Sequence, residues 1–170
     1  SLLHRLPAIR GGESVEIQWV SDFVSIIDRG PVARRALDLS GAGLLIGLGP
    51  RPGFDEIARE GEIGLFRNRD ALPRAWLVGE ARVVPEAEDR LQLLVGPGFD
   101  PRRESIVESP VDGLGEDCAS GSATVVSCTP NHLALRVSSP SRCLLVVSDT
   151  WYPGWEATIE DAPGDVLRVD

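Results

Sequence analysis

The sequence predicts an α+β chain that is mainly β: an antiparallel β-sandwich, jelly-roll-like, preceded by an N-terminal mixed α/β portion. Three observations predict it. From Glu104 onward, short apolar segments recur at close spacing between turns rich in Pro, Gly, Asn and Ser, the pattern of all-β sandwiches. Two of these segments alternate, which marks strands with one buried face: Leu133, Leu135 and Val137 against His132, Ala134 and Arg136, and Trp155, Ala157 and Ile159 against Glu156, Thr158 and Glu160. Helix signatures are confined to the region before that point. The expected organisation is a mixed α/β portion over residues 1–103 and sandwich strands over residues 104–170, either as two units or as one compact domain.

In chain order, Ser14 to Val20 alternates (Val15, Ile17 and Trp19 against Glu16 and Gln18) and reads as a strand, with Phe23 to Ile27 a further apolar segment. Pro31 opens a helix, since proline is favoured in the first turn, and Gly41 and Gly43 stop it. Leu44-Leu45-Ile46 is a short strand closed by Gly49-Pro50-Arg51-Pro52-Gly53. Phe54 to Arg59 reads as a helical turn, and Ile63 to Phe66 as a strand followed by the turn Asn68-Arg69-Asp70. Strands over Ala75 to Val78 and Ala81 to Val84 are interrupted at Gly79. Pro85 to Val95 carries the strongest helix signature: Glu86, Glu88 and Asp89 complement the N-terminal end of the helix dipole, and Leu91, Leu94 and Val95 share a face. Beyond it come a strand at Ser105 to Val107 and a Gly-rich acidic loop at Asp112 to Gly121. Strands follow at Ala123 to Cys128, His132 to Ser138, Cys143 to Ser148, Trp155 to Ile159 and Val166 to Val169. Asp161-Ala162-Pro163-Gly164 is expected to be a turn.

The 170 residues carry a formal net charge of −9, which argues against nucleic-acid binding and against adsorption to anionic headgroups. All 17 basic residues are Arg, read here as a compositional bias. The chain has no Met and starts at Ser1, so it is expected to be a piece of a longer protein; no signal peptide is read in it. Its longest apolar runs fall short of the roughly 18 residues of a membrane span. Three cysteines, Cys118, Cys128 and Cys143, fit no zinc or redox spacing, and buried thiols are the default expectation. Cys128 and Cys143 would stand at opposite ends of a meander, roughly 17–20 Å apart; Cys118 reaches Cys143 only if the Gly-Ser loop folds back.

Three of the nine aromatic residues, Trp151, Tyr152 and Trp155, lie around the Pro153-Gly154 turn. Aromatic faces beside acceptors such as Asp149 and Glu156 suit sugar stacking, and the same rings equally suit a plug at the end of a sandwich, the reading that alternation gives Trp155. Asp149 and Thr150 read as a self-capped turn or as ligands for sugar hydroxyls. Arg74, Arg102 and Arg103 carry forks that fit phosphate, against which Asp100-Pro101-Arg102-Arg103-Glu104 favours pairing within the chain. No catalytic residue is singled out: His4 and His132 stand in no Ser-His-Asp context, and no G-x-S-x-G, P-loop, EF-hand or dinucleotide motif occurs. No cofactor or metal is expected.

Three ordered segments resemble the extracytoplasmic domain of the YfhO family of bacterial polytopic membrane proteins, grouped with the GT-C, lipid-linked-sugar glycosyltransferases. They are Asn68 to Val78 (N-x-x-ALPRA-aromatic-LV), Phe99 to Glu104 (FDPRR) and Leu144 to Ala157 (LLVLSDTYYPGW-x-A), and the likeness extends over roughly residues 35–170. The resemblance implies a domain outside the cytoplasmic membrane, tethered through flanking segments, with any transferase chemistry near the membrane-embedded part. The family continues past the last strand with further sandwich strands, whereas this chain stops at Asp170. The expected function is thus a non-catalytic extracytoplasmic accessory domain whose partner is glycan or a lipid-linked sugar. The alternatives are a secreted carbohydrate-active hydrolase and a purely structural or protein-interaction domain.

Overall fold

The structure is a computed structural model that describes residues 32–151 and 153–168. It is α+β and mainly β, and it divides into two compact units, one ending at Leu72 and one spanning Pro73–Asp170. No helix among the described residues is long and apolar enough to cross a membrane. The strand expected at Ser14 to Val20 and the apolar segment at Phe23 to Ile27 lie outside the described residues.

In the first unit, α1 (Val32–Leu39) is followed by β1 (Leu44–Leu48), β2 (Asp55–Glu60) and β3 (Ile63–Arg67), which form one antiparallel sheet in the order β1-β3-β2. Gly41 ends α1 at φ 67°. The Ala42 N–H bonds the Leu37 carbonyl at 3.0 Å and the Gly41 N–H that of Asp38 at 3.1 Å, the paired bonds of a left-handed C-terminal cap. The loop after β3 is tied back to this helix. Asn68, 5% exposed, donates to Asp38 Oδ1 at 2.7 Å, and the Leu72 N–H bonds the Asp38 carbonyl at 2.8 Å. Phe66, 1% exposed, fills the inner face of the sheet under Gly64, where a Cβ would lie 2.5 Å from the ring.

The helical turn expected at Phe54 to Arg59 is instead β2. Glu, Ala and Arg are good helix formers, yet β2 pairs with β3 through a tight turn at Gly61 (φ 58°), and tertiary pairing overrides propensity. A bulge between Glu56 and Ala58 shifts its register and leaves Ile57 on the outside.

In the second unit, β4 (Ala75–Val78), β5 (Glu80–Val83), α2 (Ala87–Val95) and β6 (Glu104–Val107) precede a 3₁₀ turn (Asp117–Ser120), β7 (Ser122–Thr129), β8 (His132–Ser138), β9 (Leu144–Val147), β10 (Ala157–Ile159) and β11 (Ala162–Gly164). Pairing is mostly non-local. β4 pairs antiparallel with β9, and β5 pairs in parallel with β6 through the α2 crossover, so these ladders join segments on both sides of residue 103. β7 and β8 form a hairpin that packs beside β4. The pairing gives small separate ladders and by itself does not establish two facing sheets. The core gathers where α2 and the two long-range ladders meet: Leu77, Val78, Leu94, Ile106, Val107 and Val146 are all buried. Each such side chain contributes about 1.5–3 kcal/mol by leaving water.

The last elements depart from expectation. Glu160 and Asp161 both take positive φ (49° and 68°), a turn of the I′ kind, so β11 begins at Ala162 inside the stretch read as a turn. Residues 165–168 are not strand, and β10 starts at Ala157 rather than Trp155. Ile159 is 68% exposed, since a two-stranded ribbon here offers no layer to cover it.

Candidate functional site

The three segments that carry the resemblance converge on the β4–β9 ladder of the second unit. Ala75 stands opposite Val147 and Val78 opposite Leu144, which brings the ALPRA and SDT segments side by side. The Trp76 indole N–H donates to the Pro101 carbonyl at 2.7 Å and so ties the FDPRR segment to the same ladder. Residues up to 75 positions apart in sequence thereby share one corner.

Around this corner the polar side chains are engaged with the fold. The Arg74 guanidinium reaches the Ser148 carbonyl through one nitrogen and Asp149 Oδ2 through another. Asp149 Oδ1 accepts from the Thr150 N–H at 2.8 Å, and the Asp149 N–H bonds the Val147 carbonyl at 2.9 Å. Asp149 thus caps its own turn and neutralises Arg74. Asp100 builds a second turn: its Oδ1 accepts from the Arg102 N–H and its carbonyl from the Arg103 and Glu104 N–H groups, each at 3.0 Å. The Arg103 guanidinium lies 3.4 Å from Glu80, and Glu104 binds Arg82 at 2.7 Å. These two arginines pair across the β5–β6 ladder, which sequence spacing does not reveal.

In the aromatic corner, the Arg168 guanidinium sits 5.8 Å from the centroid of Trp151 and covers one face of that ring. Arg168 also approaches Glu108 at 4.0 Å, and Glu108 is bound at 2.9 Å by Arg90, itself only 3% exposed. A chain of charges thus runs from α2 to the ring. Arg90 and Arg168 carried no signal in the sequence, because the partners lie 18 and 60 positions away from Glu108 by chain and are joined only by folding. Trp155 is half-buried rather than core, and its indole N–H bonds the Thr150 carbonyl at 3.2 Å. Tyr152 lies outside the described residues.

Cys118 and Cys143 form a disulfide with Cα atoms 5.7 Å apart. The default of three buried thiols is therefore corrected. The Gly-rich loop folds back, the Gly115 N–H bonds the Arg142 carbonyl at 2.8 Å, and Cys118 is 2% exposed beneath it. Cys128 is a free thiol on the exposed side of β7. No group of three or more His, Cys, Asp or Glu side chains that could hold a metal occurs among the described residues.

Among the described residues, the groups whose acidity is displaced lie in the first unit. The Arg59 guanidinium, hydrogen-bonded to both carboxylate oxygens of Glu56 at 2.8 and 2.7 Å, holds that carboxyl below its usual range, and Glu56 in turn raises Arg59. Comparison with protein-family models, with curated proteins and with solved structures gave no match.

Proposed function

We propose that this chain is an extracytoplasmic accessory domain of a polytopic membrane protein related to the lipid-linked-sugar glycosyltransferases, that it makes no bonds itself, and that glycan or a lipid-linked sugar touches it at the Trp151 corner. The observation that carries the reading is the Cys118–Cys143 disulfide. Such bridges form and persist in oxidising compartments outside the bacterial cytoplasm. The convergence of the three resemblance segments on one ladder supports the same reading, since residues of each are used together there. The engagement of Arg74 and Asp149 with one another favours a scaffold role for these residues over a phosphate or metal site.

The compartment is tested by labelling the full-length protein in cells with a maleimide–polyethylene glycol, with and without prior reduction. The expected result is that Cys118 and Cys143 react only after reduction, while Cys128 reacts in both. Labelling of all three thiols without reduction sinks the compartment assignment. The sugar contact is tested on a glycan array with Trp151→Ala. Binding lost with the fold retained supports it; no binding by the wild-type chain retires the sugar contact and leaves the accessory role standing.

A further inference from the structure

The outer face of the β1-β3-β2 sheet is apolar and open. Residues opposite one another in an antiparallel ladder share a face, so Leu44, Ile46 and Leu48 of β1 lie on the same side as Leu65 and Ile63 of β3. This is the outer side: Leu44 is 55%, Ile46 74%, Leu48 66% and Ile63 53% exposed, while Phe66 on the other face is buried. These side chains form one contiguous apolar surface, of the order of the few hundred Å² at which such patches serve as contacts.

Charge selects the occupant. On this same face Arg67 stands at one end of the sheet, opposite Leu44 and Asp55, and Glu60 stands at the other, opposite Ile63. Neither Arg67 nor Glu60 makes an ion pair among the described residues, whereas Asp55 is already bound by Arg69. The face is therefore apolar in the middle with opposite charges at opposite ends. A two-fold axis in the plane of the interface, perpendicular to the strands, lays the face on a second copy of itself with the strands reversed. That operation brings each Arg67 to the Glu60 end of its partner and stacks the Ile46 region on itself, an isologous arrangement with apolar centre and charged rim.

We propose that this face is a self-association surface whose partner is a second copy of the chain. Three strands of about five residues span roughly 14 by 17 Å. This is the small class of interface, below about 1,200 Å² in total, so the dimer is weak and reversible.

The test is sedimentation equilibrium of the whole chain in a Cys128→Ser background, which removes covalent linkage through the exposed thiol, between about 10 μM and 1 mM. The wild-type face is expected to give a concentration-dependent dimer. Ile46→Glu is expected to abolish it, and Arg67→Glu to raise the dissociation constant at least about tenfold at low salt. The double exchange Arg67→Glu with Glu60→Arg is expected to recover most of that loss, a result that damage to the fold would not give. A chain that stays monomeric throughout this range overturns the proposal, and so does a dimer that Ile46→Glu leaves intact. Failure of the double exchange to recover affinity removes the antiparallel geometry and with it the choice of partner. None of these outcomes bears on the compartment or on the sugar contact.

Discussion

Arg90 shows what a single charged side chain does inside the second unit. Its guanidinium donates to the carbonyls of Val84 and Pro85 at 3.1 and 2.6 Å and to Glu108 at 2.9 Å, all while 3% exposed. It therefore satisfies the backbone where β5 runs into α2 and reaches the end of β6 at the same time. Arg90→Met keeps the bulk and leaves two carbonyls without this donor, and is expected to cost about 2 kcal/mol or more in urea denaturation. The Arg74–Asp149 pair makes a contrasting case. Its side chains are 43% and 34% exposed, so water screens them, and Arg74→Ala is expected to cost no more than about 1 kcal/mol by the same measurement. In the sequence, Arg74 and Asp149 stood out because they lie in the segments that carry the resemblance, while Arg90 was merely one helix residue among charged neighbours. Only the fold distinguishes their weights, because burial and partner geometry are properties of the interior.

Elements whose patterns are satisfied locally were the legible ones. α1 follows from Pro and Gly punctuation, α2 from Pro and Gly punctuation and an acidic first turn, and β7 and β8 from two short apolar runs either side of Thr129-Pro130-Asn131. β2 was not legible, since the segment Asp55 to Glu60 carries helix formers and becomes a strand only because β3 is there to pair with it. Within β2 the Glu56–Arg59 interaction gives a pH dependence. A carboxyl held below its ordinary range stabilises the folded form above its unfolded value and loses that contribution as pH falls through the folded value. The first unit is expected to lose stability on acidification below the ordinary carboxylate range, and Glu56→Gln to flatten that part of the profile, as followed by circular dichroism at graded pH. Between β4 and β5, Gly79 is constrained by space. A Cβ there would lie 2.4 Å from the Gly115 carbonyl and 3.3 Å from the Cys118 sulfur. Gly79→Ala is expected to cost about 1–3 kcal/mol in denaturant unfolding, because the bridged loop cannot retreat.

On the scale of the molecule, the mainly β class was readable from the spacing of short apolar runs, and the long-range wiring was not. Nothing in Ala75 to Val78 announces that its partner is Leu144 to Val147, and nothing in the cysteine spacing announces that the acidic loop closes on Cys143. The candidate corner was visible only as separate segments until the β4–β9 ladder joined them. The bridge closes a loop of 25 positions, for which chain entropy gives about 3–4 kcal/mol of stabilisation. Reduction, or the double change Cys118→Ser with Cys143→Ser, is expected to lower the unfolding free energy of the second unit by about 2–4 kcal/mol, read by tryptophan fluorescence in urea with and without reductant. The β4–β9 ladder also fixes an order of events during synthesis. β4 leaves the ribosome some seventy residues ahead of β9, the strand it pairs with, at the usual pace of roughly 5–20 residues per second. For several seconds, then, the nascent polypeptide holds an apolar strand with no mate, and this unit completes its assembly only after nearly all of it has been translated.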